Sequence, residues 1–135
     1  EEYQKKIQIE SRVLGDIARN HILPTAFKYQ NVLLQNIKGM DDVFGKESKG
    51  MTSTQRDVLK QLSLHINTIK QKTDEMLEER KLANKIENPE KKALTYCDKV
   101  KPYFDEIKYH SDKLELMIDD TMWPLPKLRE MLFTK

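Results

Sequence analysis

The chain has 135 residues, of which 38% are hydrophobic and 34% charged, and its net charge is +2. This length fits one domain with a modest core, and the interleaved charges do not form the one-sided basic stripe of a nucleic-acid-binding protein. Four glycines and five prolines are too few for the many turns of an all-β protein, the single cysteine excludes an internal disulfide, and no apolar run approaches the ~18 residues that span a bilayer.

Apolar residues at helical spacing predict a first helix from about Glu2. Its predicted inward positions are Tyr3, Ile7, Leu14, Ile17, Ala18, His21, Ala26, Phe27, Gln30, Leu33, Leu34, Ile37 and Met40. Pro24 falls inside this pattern, lacks a backbone donor and clashes with the preceding turn. We therefore predict one long helix bent at Pro24, or two nearly collinear helices, ending near Phe44. The polar stretch Gly45–Met51 predicts a short loop, which favours an antiparallel neighbour.

The longest run without proline or glycine, Thr52–Ile86, predicts a second helix. Thr52 and Gln55 have the spacing of a capping box, and Asn88-Pro89 predicts the stop, because a residue before proline avoids the helical region. The predicted inward positions alternate three and four apart: Leu59, Leu62, Ile66, Ile69, Thr73, Met76, Arg80 and Ala83. A single helix of this length is marginal in water, so other helices must cover this stripe.

A third helix is predicted to begin at Asn88-Pro89-Glu90, with Asn as N-cap and proline at the first helical position. Its predicted stripe is Ala93, Cys97, Val100, Phe104, Ile107, Ser111, Leu114 and Ile118. Pro102 lies within this stripe without changing its phase, which predicts a kink. Asp119-Asp120 would oppose the helix dipole, so we expect a partner base elsewhere.

The motif Trp123-Pro124-Leu125-Pro126 ends the bundle pattern, and Lys127–Phe133 predicts a short final helix with Leu128 and Leu132 facing inward. The predicted fold is therefore all-α: an antiparallel bundle of three long helices, the first and third kinked at proline, closed by a short C-terminal helix. We treat residues 1–135 as one helical domain. The opening Glu-Glu-Tyr, without methionine, is interpreted as the start of a piece cut from a larger chain.

Few residues have the spacing that catalysis or metal binding requires. His21, His65 and His110 each lack another His or Cys within one helical turn, so no metal site is predicted, although ligands could still meet across helices. Cys97 lies on an apolar stripe, where free cysteine usually packs as a small hydrophobe. Adjacent carboxylates point about 100° apart on a helix, so the pairs Glu78-Glu79, Asp105-Glu106 and Asp119-Asp120 are interpreted as solvated groups or ion-pair partners.

Three further features have two interpretations each. The glycine pair Gly45 and Gly50 has the outer spacing of a phosphate loop, but Met51-Thr52 follows in place of Lys-Ser. Arg80 lies in an apolar stripe, where it could extend to solvent at the bundle end or pair with an acid. The segment around Trp123 could bind an aromatic-lined groove as a polyproline ligand, but we favour Trp123 as an anchor folded over the helix ends.

Two stretches resemble the C-terminal region of type III glutamine synthetases, a large bacterial class. Residues 10–40 contain the phrase ILPTAFKYQ, and residues 96–133 contain VKPYFDEIKYH and WPLPKLREMLF. The resemblance implies a parent that joins glutamate and ammonia with ATP and a divalent metal, both bound upstream of this segment. It also implies a cytoplasmic homo-oligomer, a dodecamer of two stacked hexamers, in which this segment contacts the catalytic core or neighbouring subunits.

The resemblance therefore leads to a specific functional expectation. The segment is expected to be non-catalytic, with no catalytic, cofactor-binding or metal-binding residue of its own and no nucleic-acid or membrane partner. Two alternatives remain open: an independent helical-bundle interaction module, and a coiled coil that associates with itself. The coding sequence before Glu1 distinguishes the first alternative, and a sedimentation measurement tests the second.

Overall fold

Helices account for almost all of residues 2–123, the part of the chain that this computed structural model describes. The helices are α1 (Glu2–Ile17), α2 (Leu23–Phe44), α3 (Ser48–Met51), α4 (Ser53–Asn84), α5 (Pro89–Thr95) and α6 (Tyr103–Met117). They are supplemented by π-helical turns at Ala18–Ile22 and Tyr96–Val100 and by 3₁₀ turns at Gly45–Glu47 and Asp120–Met122. No strand occurs in these residues, so the predicted all-α class with three long helical segments is confirmed. The predicted helix Lys127–Phe133 lies outside the described residues.

Both prolines within the long segments lie two residues after a π-helical turn. The N–H of Leu23 donates to the carbonyl of Ala18, and the N–H of Lys101 donates to that of Tyr96 at 3.0 Å. In a regular α-helix, a proline ring collides with the carbonyl four residues earlier. The wider turn repositions this carbonyl, so the helical path continues past Pro24 and Pro102.

The first π-helical turn also changes which side chains face the core. Four residues predicted to face inward are exposed instead: Tyr3, His21, Phe27 and Leu34. A π-helical turn holds one residue more than an α-helical turn, and within it Ile22, rather than His21, fills the core position. Beyond Pro24 the stripe keeps its phase, since Ala26 and Ile37 are buried as predicted, and the exposed Phe27 and Leu34 lie beside it. Tyr3 lies near the start of α1, where its ring packs under the Lys101 ammonium group.

Two apolar clusters form the core. The first contains Ile17, Ala18, Ile22, Leu23, Ala26, Leu62, Ile66, Ile69, Leu114, Ile118 and Trp123. The second contains Ile7, Leu14, Met76, Ala83, Tyr96, Val100, Phe104 and Ile107. Helix α4 contributes to both clusters, and most of its predicted stripe is buried. The sequence interpretation missed Tyr96, which is fully buried one residue before the predicted Cys97.

Helix α4 packs against both the first helical segment, which runs from α1 to α2, and the third, which runs from α5 to α6. Its contacts with the first segment are Asn84–Gln8, Asp74–Arg19, Ser63–Gln30 and Gln55–Asn36. Its contacts with the third are Glu75–Tyr103, Lys72–Glu106 and His65–His110. In both sets the residue numbers of α4 fall as those of the other segment rise.

The connection between α2 and α4 is more regular than predicted. The expected loop Gly45–Met51 is a 3₁₀ turn followed by the one-turn helix α3. The predicted capping box is wrong, since the Thr52 hydroxyl donates to the Ser48 carbonyl at 2.8 Å and Gln55 bonds to Asn36. The preceding helical turn brings that carbonyl within reach of Thr52. Helix α4 consequently begins at Ser53.

The ends of the later helices are set by polar caps. Helix α4 ends at Asn84, two residues before the predicted boundary, and the Asn88 side chain accepts from the Lys91 N–H as the predicted N-cap of the next helix. Because α6 already ends at Met117, the Asp119 carboxylate lies beyond the helix and accepts from the N–H and hydroxyl of Thr121. The base expected opposite Asp119 stays a prediction, since residues 124–135 lie outside the described part of the chain. In the part of the chain described, none of the helices is both long and apolar enough to cross a membrane.

Candidate functional site

Two histidines that are far apart in sequence meet across α4 and α6. The Nδ1 atoms of His65 and His110 lie 2.8 Å apart, and their ring centroids are separated by 5.0 Å. At this distance one Nδ1–H donates to the other Nδ1, so the two imidazoles carry their protons on different nitrogens. The Tyr109 ring packs edge-on against His110. This pair was not predicted, because the two residues are 45 positions apart.

Burial and nearby charges favour the neutral form of both imidazoles. Desolvation lowers the pKa of His65, and the neighbouring His110 and Lys113 lower it further. Desolvation also lowers the pKa of His110, where the opposing effect of Glu106 is offset in part by Lys72. The pair is therefore a hydrogen-bonded contact between two helices that loses stability when it takes up protons.

Metal binding by this pair has little support in its surroundings. Two imidazole nitrogens supply half of a tetrahedral zinc site. Residues 2–123 contain no group of three or more His, Cys, Asp or Glu side chains that could hold a metal ion. The ammonium groups of Lys72 and Lys113 also disfavour a cation there. The absence of a metal site stays a prediction for the whole chain.

Arg80 connects α4 to α1 by hydrogen bonds to neutral groups. Its Nε donates to the Ser11 hydroxyl at 3.1 Å and lies 3.3 Å from the Gln8 carbonyl oxygen. The Ser11 hydroxyl is buried and donates in turn to the same carbonyl at 2.9 Å. Arg80 was predicted either to extend to solvent or to pair with an acid. The acceptors of the hydrogen bonds described here are a carbonyl and a hydroxyl oxygen, not a carboxylate. The residue instead supplies a polar contact inside the interface of two helices.

An open groove of about 360 Å³ lies at the surface between the first helical segment and α4. It is lined by Arg19, Leu23, Phe27, Ile66, Asn67 and Lys70. Its two cationic side chains both bind Asp74, and their hydrogen bonds, Lys70 first and Arg19 second, lower the pKa of that carboxyl. The rest of the lining is apolar except for the neutral side chain of Asn67, so the groove offers packing surface rather than a site for acid–base chemistry.

A second open cleft contains the only cysteine. It measures about 350 Å³ and is lined by Glu10, Cys97, Lys101, Pro102, Phe104 and Asp105. A cysteine nucleophile needs an adjacent base, usually histidine. No histidine lines this cleft, and Cys97 packs partly against the second core cluster. This placement agrees with the interpretation of Cys97 as a packing residue.

The other sequence candidates are dispersed over the surface. Glu78 is exposed, Asp105 and Glu106 are both exposed on α6, and Gly45–Gly50 forms the helical connection described above. Trp123 is packed in the first core cluster, as expected of an anchor. The rest of its motif, residues 124–126, lies outside the described part of the chain.

Comparison with known proteins identifies the family of the chain. A family model described as the glutamine synthetase C-terminal domain matches residues 1–41. A glutamine synthetase of Bacteroides fragilis is 48% identical over 136 aligned residues, which cover 100% of this chain and 19% of that protein. A type-3 glutamine synthetase of Dictyostelium discoideum is 26% identical over 134 residues, covering 98% of this chain and 18% of that protein. The chain thus spans about a fifth of the length of these relatives. It belongs to the glutamine synthetase family, as a C-terminal domain.

Proposed function

We propose that the chain is the non-catalytic C-terminal helical domain of a type III glutamine synthetase, cut from a larger bacterial, cytoplasmic enzyme. The parent would be an ATP-dependent glutamate–ammonia ligase of nitrogen assimilation, with ATP and divalent metal bound outside this segment. The observation that carries the proposal is the 48% identity, over the whole chain, to a protein named glutamine synthetase. The type-3 relative supports the assignment to type III.

The character of the surface supports a role in packing rather than in chemistry. Both clefts are open, and Cys97, the only nucleophile among the described residues that line either one, has no histidine beside it in its cleft. Helix α6 presents Tyr109 and Leu116, seven residues apart on one face, with 56% and 82% of their surfaces exposed. Exposed large apolar side chains on one face are typical of contact surfaces. The partners proposed for this surface are the catalytic core of the same chain and neighbouring subunits of a homo-oligomer.

The architecture proposed for the domain is a single antiparallel three-helix bundle spanning residues 1–135, bent at Pro24 and Pro102. The opposed sequence order of the α4 contacts supports the antiparallel arrangement. The π-helical turns before both prolines support the bends, because such turns are a known cause of helix kinks. Spin-label distances across and along the segments would test both features.

The proposal is tested in the complete protein to which this chain belongs. We expect deletion of residues 1–135, or the single change Leu116→Asp, to weaken subunit assembly measured by sedimentation velocity. The control Gln61→Asp adds the same charge at an exposed position of α4 and should leave assembly unchanged. An unaltered oligomer after deletion would contradict a packing role. Separately, γ-glutamyl transfer by residues 1–135 alone would contradict the non-catalytic assignment.

A further inference from the structure

The open groove between the first helical segment and α4 adjoins an apolar strip on α2. Leu23 and Phe27 line the groove, and Leu34 follows Phe27 by seven residues, so the three side chains lie on one side of the helix. Phe27 and Leu34 expose 50% and 51% of their surfaces, whereas Leu23 is buried. We call these three residues the α2 strip. The strip combines a hollow beside Phe27 with a projecting side chain, Leu34, about two helical turns further along.

The hollow and the projecting side chain of the α2 strip are complementary. The groove measures about 360 Å³, which is larger than one leucine side chain, and Phe27 and Ile66 give it apolar walls. Because the hollow and Leu34 lie on the same side of one helix, a second copy of the chain can pack antiparallel so that each Leu34 enters the groove of the other copy. The two-fold axis of this arrangement passes near residues 30–31, midway between Phe27 and Leu34.

The charges beyond the two ends of the α2 strip also match under this symmetry. Beside the groove are two cations, Arg19 and Lys70, which both bind the same carboxylate. The other end of α2 carries two exposed carboxylates, Asp41 and Asp42, of which Asp41 also binds Arg56. At equal distances along the helix from the axis, Arg19 of one copy lies level with Asp41 and Asp42 of the other. The cations beside the groove thereby gain further carboxylates in the antiparallel arrangement, whereas a parallel arrangement would bring like charges together.

We propose that the α2 strip is a two-fold contact between two copies of the chain, in which Leu34 of each copy fills the groove beside Phe27 of the other. The inference rests on the homo-oligomer proposed above and names the surface that one of its interfaces uses. A two-fold contact needs one self-complementary surface, and the hollow, the projecting leucine and the opposite charges are all carried by this side of α2. Near the axis, the Gln30 amide donates to the Ser63 hydroxyl of its own chain at 3.1 Å, so it keeps a hydrogen-bond partner when the contact covers it.

Self-association of the complete protein tests the contact. Leu34→Asp places a charge in the apolar groove of the other copy. It should raise the dissociation constant of the assembly by at least about tenfold, equivalent to about 1.4 kcal/mol, in sedimentation velocity over a series of protein concentrations. The matched control is Val32→Asp, because Val32 is 47% exposed, two residues away and on a different side of α2. No effect of Leu34→Asp, or an equal effect of both changes, would overturn the proposal.

Disulfide cross-linking in the complete protein tests the position of the axis. In a background with Cys97→Ala, Asn31→Cys places a thiol beside the axis and its symmetry mate, and Val32→Cys places one at the next exposed position. We expect the Asn31 variant to form the interchain disulfide at least about tenfold faster, because the contact raises the effective concentration of the two thiols. Equal rates in a protein that still sediments as an oligomer would overturn the two-fold contact and leave the homo-oligomer standing. An unaltered protein that sediments as a monomer would contradict both.

Discussion

The two ends of the α4 helix are held in different ways. Near its C-terminal end, three helical segments meet around the fully buried Met76, Tyr96, Val100 and Ile107. At its N-terminal end, where the connection from α2 arrives, polar contacts dominate: Asp41 binds the Ser48 hydroxyl and the Arg56 guanidinium, and Arg56 also donates to the Thr52 hydroxyl at 2.9 Å. Apolar burial therefore organises one end, and hydrogen bonds shape the turn at the other.

This difference shows what a third helix contributes. A fully buried Leu, Ile or Met side chain contributes about 1.5–3 kcal/mol, whereas a typical hydrogen bond contributes about 0.5–1.5 kcal/mol net. Near the end of α2, by contrast, the apolar side chain of Val43 is 73% exposed. The polar network therefore determines the geometry of the connection, whereas the burial of apolar side chains supplies most of the stability of the bundle.

The largest expected effect compares one residue type at the two ends. Met76→Ala should lower the free energy of unfolding by about 2–5 kcal/mol, because it leaves a cavity in the second core cluster. Met51→Ala, at the connection where Met51 is 48% exposed, should cost less than about 0.5 kcal/mol. Denaturant unfolding measures both values. Equal losses would mean that the two ends are equally packed.

A smaller loss of stability is expected from disrupting the polar network at the connection between α2 and α4. Thr52→Val removes a buried hydroxyl that donates to the Ser48 carbonyl and accepts from Arg56. We expect a loss of about 1–2 kcal/mol, with the fastest local exchange near the connection. The control Thr54→Val changes an exposed threonine two residues further along the chain. If both variants unfold alike, the network does not fix the turn.

The next prediction concerns the polar contact within the three-helix region. Arg80→Met keeps a long apolar stem but removes the hydrogen bonds to Ser11 and Gln8. The Ser11 hydroxyl retains its own bond to the Gln8 carbonyl, so no donor is left unpaired and the cost should be about 1 kcal/mol. Lys81→Met, at an exposed neighbouring position, serves as the control in thermal unfolding. A gain in stability for Arg80→Met would contradict a stabilising role.

The smallest effect should appear only as a pH dependence. The pKa of both His65 and His110 is lowered on folding, so below the usual value of about 6.5 the unfolded chain binds more protons than the folded protein. Stability should therefore fall as the pH drops through that value. The double change His65→Gln and His110→Gln should flatten this fall in urea titrations. An unchanged slope in the double variant would contradict this role of the pair.

Some features of the fold followed from local patterns. The α4 stripe from Leu62 to Ala83 is buried nearly as predicted, because its period continues without interruption. The end of α2 at Phe44 and the Asn88 cap also agree with the sequence signals. The π-helical turns were not predictable from periodicity alone, since the widening depends on how the chain accommodates each proline ring. After Pro24, Ala26 and Ile37 are buried as predicted, whereas Phe27 and Leu34 are exposed.

The candidate site was less predictable than the fold. The separation of His65 and His110 gives no local signal, and only the packing of α4 against α6 brings their Nδ1 atoms together. The partners of Arg80 were missed for a similar reason. Ser11 lies in the α1 stripe and meets Arg80 only because α1 crosses α4 at that level. Contacts of this kind depend on how far one helix is displaced along another.

The sequence by itself determined the all-helical class, the proline positions and the apolar stripes, because these follow from residue spacing along one chain. It also contained the phrases that resemble type III glutamine synthetases. Only the tertiary structure decided which helices touch and how closely. At Gly15 of α1, a Cβ atom would lie 3.0 Å from the Leu77 side chain of α4, so any larger residue there would require that side chain to shift. No periodic pattern identifies this position, because the clash involves a residue 62 places further along the chain.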